Sequence, residues 1–359
     1  MKVVEIMPEF GLAGAEIMCE NLIYGLIDKN IEVVVVSLYT FESAITDRMK
    51  ARGIRIIYLG KKSGLDFSVY KKLNDVLKTE KPDVVHTHRY VMQYAIPCAL
   101  INRVQVCVHT VHNVAKKEQD FIKRKQAYLF YHLLKVRAVA LSNEIKKTVC
   151  AEYKLKENEV PVIFNGEDLS GFRKKDNYQK GERLKILHIG RFMDAKNHKC
   201  IMETAIELLH MGQKIELFLV GNYETEIGSK CIEMVRENKC DKYIHFMGLQ
   251  DNVKPFLENA DIFILPSKYE GVPMSLIEAM ATGLPIIASN VGGIPDMIDN
   301  YESGILITPN KEELKKTIEE LSENEGLRKK MGENAYIRSR EFDSSKMAER
   351  YIAVYKELL

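Results

Sequence analysis

Short apolar runs alternate with helical patterns along most of this chain, and that alternation restricts the folds it can adopt. The runs are almost continuously apolar, as expected of strands that helices cover on both faces. Strands of this kind belong to parallel α/β sheets. The predicted strands are 3–7, 31–38, 54–59, 83–86, 104–109, 138–141 and 160–164 in the first half, and 184–189, 214–220, 243–247, 261–265, 285–288 and 304–307 in the second.

The length and a break in this pattern predict two domains. A chain of 359 residues is too long for one ordinary core. Residues 165–183 are polar and rich in Lys, Gly and Asp, which is typical of a linker, and only charged amphipathic helices follow residue 311. We therefore predict doubly wound domains over 1–168 and 169–339. Ligands of such domains bind at the carboxyl ends of the strands, here in the cleft between the domains.

The composition favours a cytoplasmic protein. No apolar run approaches the roughly 20 residues that cross a bilayer, and Glu5 and Pro8 interrupt an N-terminus that would otherwise suggest a signal peptide. The seven cysteines are scattered singly, without a CxxC pair, which indicates reduced thiols.

The positive charge is concentrated in the first half of the chain. Residues 1–180 contain 29 Lys and Arg against 21 Asp and Glu. Basic residues flank the apolar run 128–134, so segment 123–137 predicts either an amphipathic helix on an anionic membrane surface, at the inner face of the plasma membrane, or a packed helix with a solvated basic face. Nucleic acid is not expected as a partner, because the excess charge is modest and no recognition motif occurs.

The segment 270–280, EGVPMSLIEAM, is the most informative about function. It places Glu270 just after a predicted strand and Glu278 within a short helix that Pro273 can open. Gly271 lets a ligand approach the backbone, and the free N–H groups of the first helical turn form an anion site. Hydroxyls and phosphates would both bind here, as in a nucleotide-sugar.

Two further loops suit phosphate. After the strand 184–189, Gly190 turns the chain, and Arg191 and Lys196 follow; these cations either clamp a diphosphate or are simply solvated. After the first strand, a glycine-containing loop that includes Gly14 precedes a long helix; this is either a phosphate or sugar contact or a plain turn.

Histidines end two of the predicted strands: His86 and His88 end one, His109 and His112 the other. The sequence near them offers no third ligand of carboxylate or cysteine type, and no DxD motif occurs, so no metal site is expected. The alternatives are structural histidines and a neutral imidazole that hydrogen-bonds a sugar hydroxyl, best placed on His112. No Ser-His-Asp or Cys-His arrangement predicts a hydrolase.

Five segments occur in an order that resembles the family-four retaining glycosyltransferases of the GT-B fold. They are 11–16 (GLAGAE), 110–113 (TVHN), 164–168 (FNGED), Gly190-Arg191 with Lys196, and Glu270 with Glu278. The resemblance covers nearly the whole chain. It implies two Rossmann-like domains with a cleft between them, and final helices, 340–359, that cross back onto the first domain. Ala13-Gly14 in place of Gly-Gly, and Asn113, depart from the pattern on the acceptor side.

The resemblance also implies residue roles. Arg191 and Lys196 would hold the diphosphate, and Glu278 the ribose hydroxyls. Glu270 would position a donor-sugar hydroxyl and not act as a nucleophile, while His112 would touch the sugar near its reacting carbon. The donor-binding set would be completed by Gly14, Gly190, Gly271, Val272, Pro273, Met274 and Ser275.

The implied reaction needs neither metal nor cofactor. A sugar would move, with retention of configuration, from a nucleoside-diphosphate sugar (UDP, GDP and ADP stay open, UDP preferred) to a hydroxyl of a glycan or polyprenyl-linked acceptor in capsule or exopolysaccharide synthesis. Two alternatives remain open. One is a nucleotide-sugar epimerase or soluble transferase acting on a small metabolite, and the other is a non-catalytic nucleotide-sugar-binding partner of another transferase.

Overall fold

The computed structural model describes residues 1–12, 14–118 and 120–359. Ala13, in the first glycine-containing loop, lies outside the described residues. The chain divides into two compact units: the first unit comprises Met1–Asp168 and Phe342–Leu359, and the second comprises Leu169–Glu341.

The first unit is built on six parallel strands in the spatial order β3-β2-β1-β4-β5-β6. These are β1 (Lys2–Met7), β2 (Glu32–Ser37), β3 (Ile56–Tyr58), β4 (Val84–His88), β5 (Val106–Val111) and β6 (Arg137–Ala140). The helices are α1 (Gly14–Asp28), α2 (Ala44–Ala51), α3 (Ser68–Glu80), α4 (Met92–Ile101), α5 (Ala115–Glu118), α6 (Phe121–Leu133) and α7 (Asn143–Tyr153). The central strands are buried on both faces, which confirms helix-covered strands.

The second unit repeats this topology. Its sheet has the order β12-β11-β10-β7-β8-β9, which places its first strand at the same central position as β1. The strands are β7 (Leu184–Ile189), β8 (Ile215–Val220), β9 (Ile244–Gly248), β10 (Ile262–Leu265), β11 (Ile286–Ser289) and β12 (Ile305–Ile307). The helices are α8 (His198–His210), α9 (Glu226–Glu237), α10 (Lys254–Asn259), α11 (Met274–Ala281), α12 (Ile294–Met297), α13 (Lys311–Glu323) and α14 (Glu325–Ser339).

The last helix, α15 (Ser344–Leu358), belongs to the first unit, where it packs on α1. The two helices approach so closely that a Cβ added to Gly25 would lie 2.8 Å from the Ala348 Cβ. Tyr351 and Tyr355 of α15 are fully buried. The C-terminal segment therefore completes the core of the N-terminal sheet.

Two expectations are wrong in detail. The predicted strand 160–164 forms only an isolated bridge, between Ala140 and Val162. The predicted linker 165–183 is not a free connector, because Tyr178 is buried in the second unit. The Tyr178 hydroxyl donates to the Gly283 carbonyl at 3.0 Å, and the guanidinium of Arg328 donates to the Tyr178 carbonyl at 2.9 Å. One aromatic side chain thus anchors a segment whose composition is polar.

Candidate active site

The second unit brings Lys196 and Glu270 into contact. Lys196 ends a 3-10 turn after β7, and Glu270 lies in the loop after β10, the neighbouring strand. The Lys196 Nζ is 2.6 Å from Glu270 Oε1, and the Ser267 hydroxyl donates to the same oxygen at 2.6 Å. The two charged side chains are only 17% and 10% exposed. Removing either one would leave the other charge largely buried and unpaired.

Arg191 lies in a different environment. It follows Gly190 directly at the end of β7, its side chain is exposed, and no ion pair links it to another of the described residues. The two predicted clamp cations are therefore not equivalent. Lys196 is held by an internal acid, whereas the guanidinium of Arg191 is available to an external anion.

Glycines at strand ends shape the loops around this pair. A Cβ on Gly190 would lie 3.3 Å from Lys196 Cδ and Cε, so the lysine stem packs on the Gly190 backbone. Gly292, in the loop after β11, has a φ of +60°, and a Cβ there would lie 1.7 Å from the Glu270 carbonyl oxygen. The next residue, Gly293, donates its N–H to the Gly271 carbonyl at 3.0 Å. Sequence reasoning missed Gly292 and Gly293, although the Gly-Gly pair after a predicted strand was a visible signal.

Helix α11 begins one residue later than the sequence suggests. Pro273 occupies the N-cap position with extended backbone, and Met274 is the first helical residue. Val272 and Pro273 are buried, so they can meet a ligand mainly through their backbone. Ser275 and Glu278 are partly exposed on the same helix. Pro273, as the N-cap residue, makes no side-chain hydrogen bond to the first turn, and the amides of a helical first turn are suited to an anion.

Two buried residues, Asn197 and His188, hold the loop that carries Arg191 and Lys196. Asn197 has a left-handed backbone (φ 58°), and its side-chain amide donates to the carbonyls of Pro266 and Pro309 at 3.1 and 3.2 Å. The neighbouring His188 is fully buried, and burial lowers its pKa well below the usual histidine value. Its Nδ1 lies 3.0 Å from the Ile264 carbonyl and donates to it. Asn197 and His188 were not predicted, because neither belongs to a recognisable motif.

A cavity of about 460 Å³ lies next to this loop. It is lined by Met193, Asp194, Asn197, His198, Lys199, Ile227, Lys230, Cys231, Met234 and Lys268. None of the predicted site residues lines it, so we place the candidate site at the Lys196–Glu270 pair and not in the cavity.

In the first unit, His86 and His88 of β4 and His112, just after β5, form a hydrogen-bonded network around the buried Glu5 of β1. The strand register places Glu5 beside His86. Glu5 Oε1 is 3.0 Å from His86 Nδ1, and Glu5 Oε2 is 2.9 Å from His88 Nε2. His88 Nδ1 is in turn 3.0 Å from His112 Nε2. His109 lies apart from this chain and contacts the Thr87 hydroxyl at 2.9 Å.

The expectation that no carboxylate lies near these histidines is wrong. Glu5, His86 and His88 form the kind of acidic and imidazole group that can hold a metal ion. However, the two imidazoles contact different oxygens of the carboxylate, and their other ring nitrogens are committed to Thr110 and His112. This donor set fits a closed hydrogen-bond network better than a metal centre.

Gly14 and His112 both follow strands of the first unit. Gly14 is exposed at the first position of α1, with open space around its α-carbon. The backbone N–H of His112 lies 3.4 Å from Glu118 Oε1, and burial raises the pKa of Glu118 to about 7. The predicted residues are therefore divided by unit: Gly14 and His112 lie in the first, and the remainder in the second.

Helix α6, which covers most of segment 123–137, has one buried face and one exposed apolar face. Ala127 and Tyr131 are buried against the first unit. Its outer face exposes Phe121, Ile122, Leu129 and Leu133, at 61%, 71%, 49% and 70% respectively. None of the described helices is long and apolar enough to span a bilayer.

The sequence matches two family descriptions that together cover most of the chain. Residues 12–170 match "Glycosyltransferase Family 4", and residues 172–338 match "Glycosyl transferases group 1".

Curated relatives and solved structures agree with this match. A capsular polysaccharide biosynthesis glycosyltransferase, CapH of Staphylococcus aureus, is 26% identical over 81% of this chain and 82% of its own length. An Escherichia coli UDP-Gal:alpha-D-GlcNAc-diphosphoundecaprenol alpha-1,3-galactosyltransferase is 30% identical over 68% of this chain and 66% of its own. A Rickettsia africae glycosyltransferase superposes with a TM-score of 0.85 at 21% identity, over 99% of this chain and 98% of that one. Anabaena HepE, solved with UDP-glucose, has a TM-score of 0.83 at 16% identity, over 99% and 100%.

Proposed function

Because this chain belongs to the family-four glycosyltransferases of the GT-B fold, we propose that it transfers a sugar, with retention, from a UDP-sugar to a hydroxyl of a lipid-linked glycan in surface polysaccharide synthesis. The observation that carries the proposal is the Lys196–Glu270 pair in the loops that precede α11, a helix whose N-cap residue, Pro273, provides no side-chain cap. The UDP-glucose complex of HepE supports the donor class, and the diphosphoundecaprenol acceptor named for the Escherichia coli relative supports the acceptor class.

Arg191 and Lys196 would bind the diphosphate in different ways. Arg191 is exposed and offers a planar fork that matches two phosphate oxygens. Lys196 already neutralises Glu270, so an arriving diphosphate would share its ammonium with that carboxylate. This sharing keeps the lysine in place before the donor binds, and preorganised charge is the main source of leaving-group stabilisation.

Glu270 would position a sugar hydroxyl. Both of its side-chain contacts, from Lys196 and Ser267, end on Oε1. We assign Oε2 to the hydroxyl. Glu278, one turn into α11, would bind the ribose. The acceptor hydroxyl would attack from the face that the diphosphate leaves, and the leaving phosphate would take its proton, with no metal required.

The test is a transfer assay on the full chain with UDP-, GDP- and ADP-sugars, with and without a polyprenyl-diphosphate-linked sugar. We expect acceptor-dependent product that keeps the donor's anomeric configuration, at a rate that EDTA leaves unchanged. Release of free sugar without acceptor would instead indicate an epimerase or small-metabolite enzyme. Donor binding with no turnover under any condition would indicate the non-catalytic partner.

Glu270→Ala separates an enzyme from a binding protein. We expect it to abolish transfer, because the hydroxyl contact and the partner of Lys196 are both lost. Glu258→Ala, which removes an exposed acid of α10 in the same unit, serves as the control and should transfer at the wild-type rate. Normal transfer by Glu270→Ala would refute the donor-site assignment.

We also propose that α6 lies on the anionic inner face of the plasma membrane, where lipid-linked acceptors are presented. Its exposed Phe121, Ile122, Leu129 and Leu133 would enter the headgroup region, and Lys125 on the same exposed side would contact anionic lipid. No apolar partner for this face exists among the described residues of the first unit, and a face of this composition fits an anionic lipid surface better than water.

A further inference from the structure

A continuous hydrogen-bonded chain links Glu5 to His112 through His88. Glu5 Oε2 is 2.9 Å from His88 Nε2, and His88 Nδ1 is 3.0 Å from His112 Nε2. Glu5 and His88 are fully buried, and His112, at the end of β5, is only partly exposed. Neither Glu5 nor His88 has a role in the reaction described above.

The chemistry of the groups gives this chain a direction. A carboxylate only accepts hydrogen bonds, so His88 Nε2 must carry a proton and donate it to Glu5. If His88 is neutral, its Nδ1 is an acceptor, and His112 Nε2 must then be the donor. The remaining nitrogen of His112, Nδ1, is consequently unprotonated.

The charge states agree with this assignment. Burial alone would raise the pKa of Glu5. The charges and hydrogen bonds of His86 and His88 have the opposite, larger effect and lower the pKa of Glu5 to about 2. Burial lowers the pKa of His88 to about 4 and that of His112 well below its usual range. At neutral pH the chain therefore consists of one carboxylate and two neutral imidazoles.

The second carboxylate oxygen is held just as firmly. His86 Nδ1 donates toward Glu5 Oε1 at 3.0 Å, and His86 Nε2 accepts from the Thr110 hydroxyl at 2.8 Å. Tyr351 contacts that hydroxyl at 2.8 Å, and Tyr355 lies 2.7 Å from His86 Nδ1. Helix α15 thus closes the network and leaves Glu5 a single orientation.

We propose that Glu5 and His88 are positioning residues that fix His112 as the tautomer protonated on Nε2, so that its Nδ1 accepts a hydrogen bond from a ligand hydroxyl. The catalytic part of this inference rests on the proposed function, in which His112 touches the transferred sugar. The tautomer itself does not depend on turnover. A neutral acceptor suits a sugar hydroxyl, whereas an imidazolium at this position would offer two donors and no acceptor.

The direct test is nitrogen-15 NMR of histidine-labelled full-length protein at pH 7, without ligand. We expect both His88 and His112 to be neutral and protonated only on Nε2. A protonated Nδ1 on His112, or a cationic His88, would overturn the inference whatever the protein catalyses. Failure of the wild-type protein to transfer any sugar would refute the proposed function and leave the tautomer assignment standing.

Two variants of His88 test the positioning role. His88→Phe removes the acceptor, so we expect His112 to become a tautomer mixture and kcat to fall at least tenfold with KM for the donor changed less than threefold. His88→Gln keeps a donor toward Glu5 and an acceptor toward His112, so it should restore the single tautomer and most of kcat. Equal losses in both variants would contradict the proposal, and if His88→Phe does not fold, His88→Gln and the wild-type spectrum decide.

A matched control lies on the opposite face of the same strand. Thr87→Val breaks the buried contact with His109 and leaves the Glu5–His88–His112 chain intact. We expect the His112 tautomer and kcat to be those of the wild type. A tautomer change in this variant would show that any disturbance of β4 has the same effect, and would overturn the specific role of His88.

Discussion

The two units share one strand order but build opposite kinds of polar site. In the second unit, charged side chains lie in loops at the strand ends, with Arg191 exposed and Lys196 paired to Glu270. In the first unit, Glu5, His86 and His88 lie within the strands and are fully buried, and burial lowers the pKa of both His88 and the adjoining His112. The comparison teaches that one scaffold can present charged groups in its loops in one unit and bury a hydrogen-bonded network between its strands in the other.

The importance of charge at the second site can be tested by substituting Lys196. Lys196→Ala should lower kcat/KM about a hundredfold, because it removes the proposed diphosphate contact and leaves Glu270 unpaired. Each tenfold loss corresponds to about 1.4 kcal/mol of transition-state stabilisation. Arg191→Ala removes an exposed cation only and should cost about tenfold. Lys199→Ala, which removes an exposed lysine at the start of α8, should leave kcat/KM unchanged. Steady-state kinetics with the donor varied will check the series, and near-wild-type rates for both Lys196→Ala and Arg191→Ala would remove the clamp.

The packing of the loops around the second site can be tested by substituting Gly292. Gly292→Ala should destabilise the protein by about 2 kcal/mol or more, because its φ is +60° and the new Cβ would collide with the Glu270 carbonyl. Gly212→Ala has a similar φ of +80° but nothing within 4 Å, so it reports the backbone strain alone. Thermal or denaturant unfolding will measure both. Equal losses would mean that the contact with Glu270 contributes nothing.

The buried neutral character of the first site predicts a pH dependence. The pKa of His88 is about 4 in the folded protein and about 6.5 when unfolded, so the unfolded state binds the proton first and stability falls as pH drops through 6.5 towards 4. Between pH 7 and pH 5 this one residue should account for about 2 kcal/mol. His88→Gln removes the titration and should flatten that part of the unfolding curve. An unchanged pH dependence would indicate that the pKa of His88 in the folded protein is close to its value in the unfolded chain.

The smallest expected effect concerns the exposed face of α6 in the first unit. This face is largely apolar, in contrast to the charged loops of the second unit. Leu129→Ser should weaken binding to vesicles containing anionic lipid about tenfold, since one apolar side chain no longer enters the headgroup region. Ile101→Ser removes an even more exposed apolar side chain, at the end of α4, and should bind normally. Binding should also weaken with salt, and indifference to ionic strength would count against the docking of α6.

Individual residues show how much of the fold and of the candidate site the local sequence pattern predicts. Apart from 160–164, the predicted strands and the final helices occur where apolar periodicity places them, because those patterns are local. The roles of Arg191, Lys196, Glu270 and Glu278 stay predictions that the transfer assays test. The missing carboxylate near the histidines was an error of the same local reasoning, since Glu5 is 81 residues from His86.

By itself the sequence determined that this chain forms two doubly wound parallel sheets, and which loops carry the cations, the acids and the histidines. Only the tertiary structure decided which of these groups touch. It paired Lys196 with Glu270 across 74 residues, placed Glu5 between His86 and His88, and set Gly292 beneath the Glu270 carbonyl. The physical reason is that such contacts follow from strand order and register, which bring together side chains that no local spacing relates.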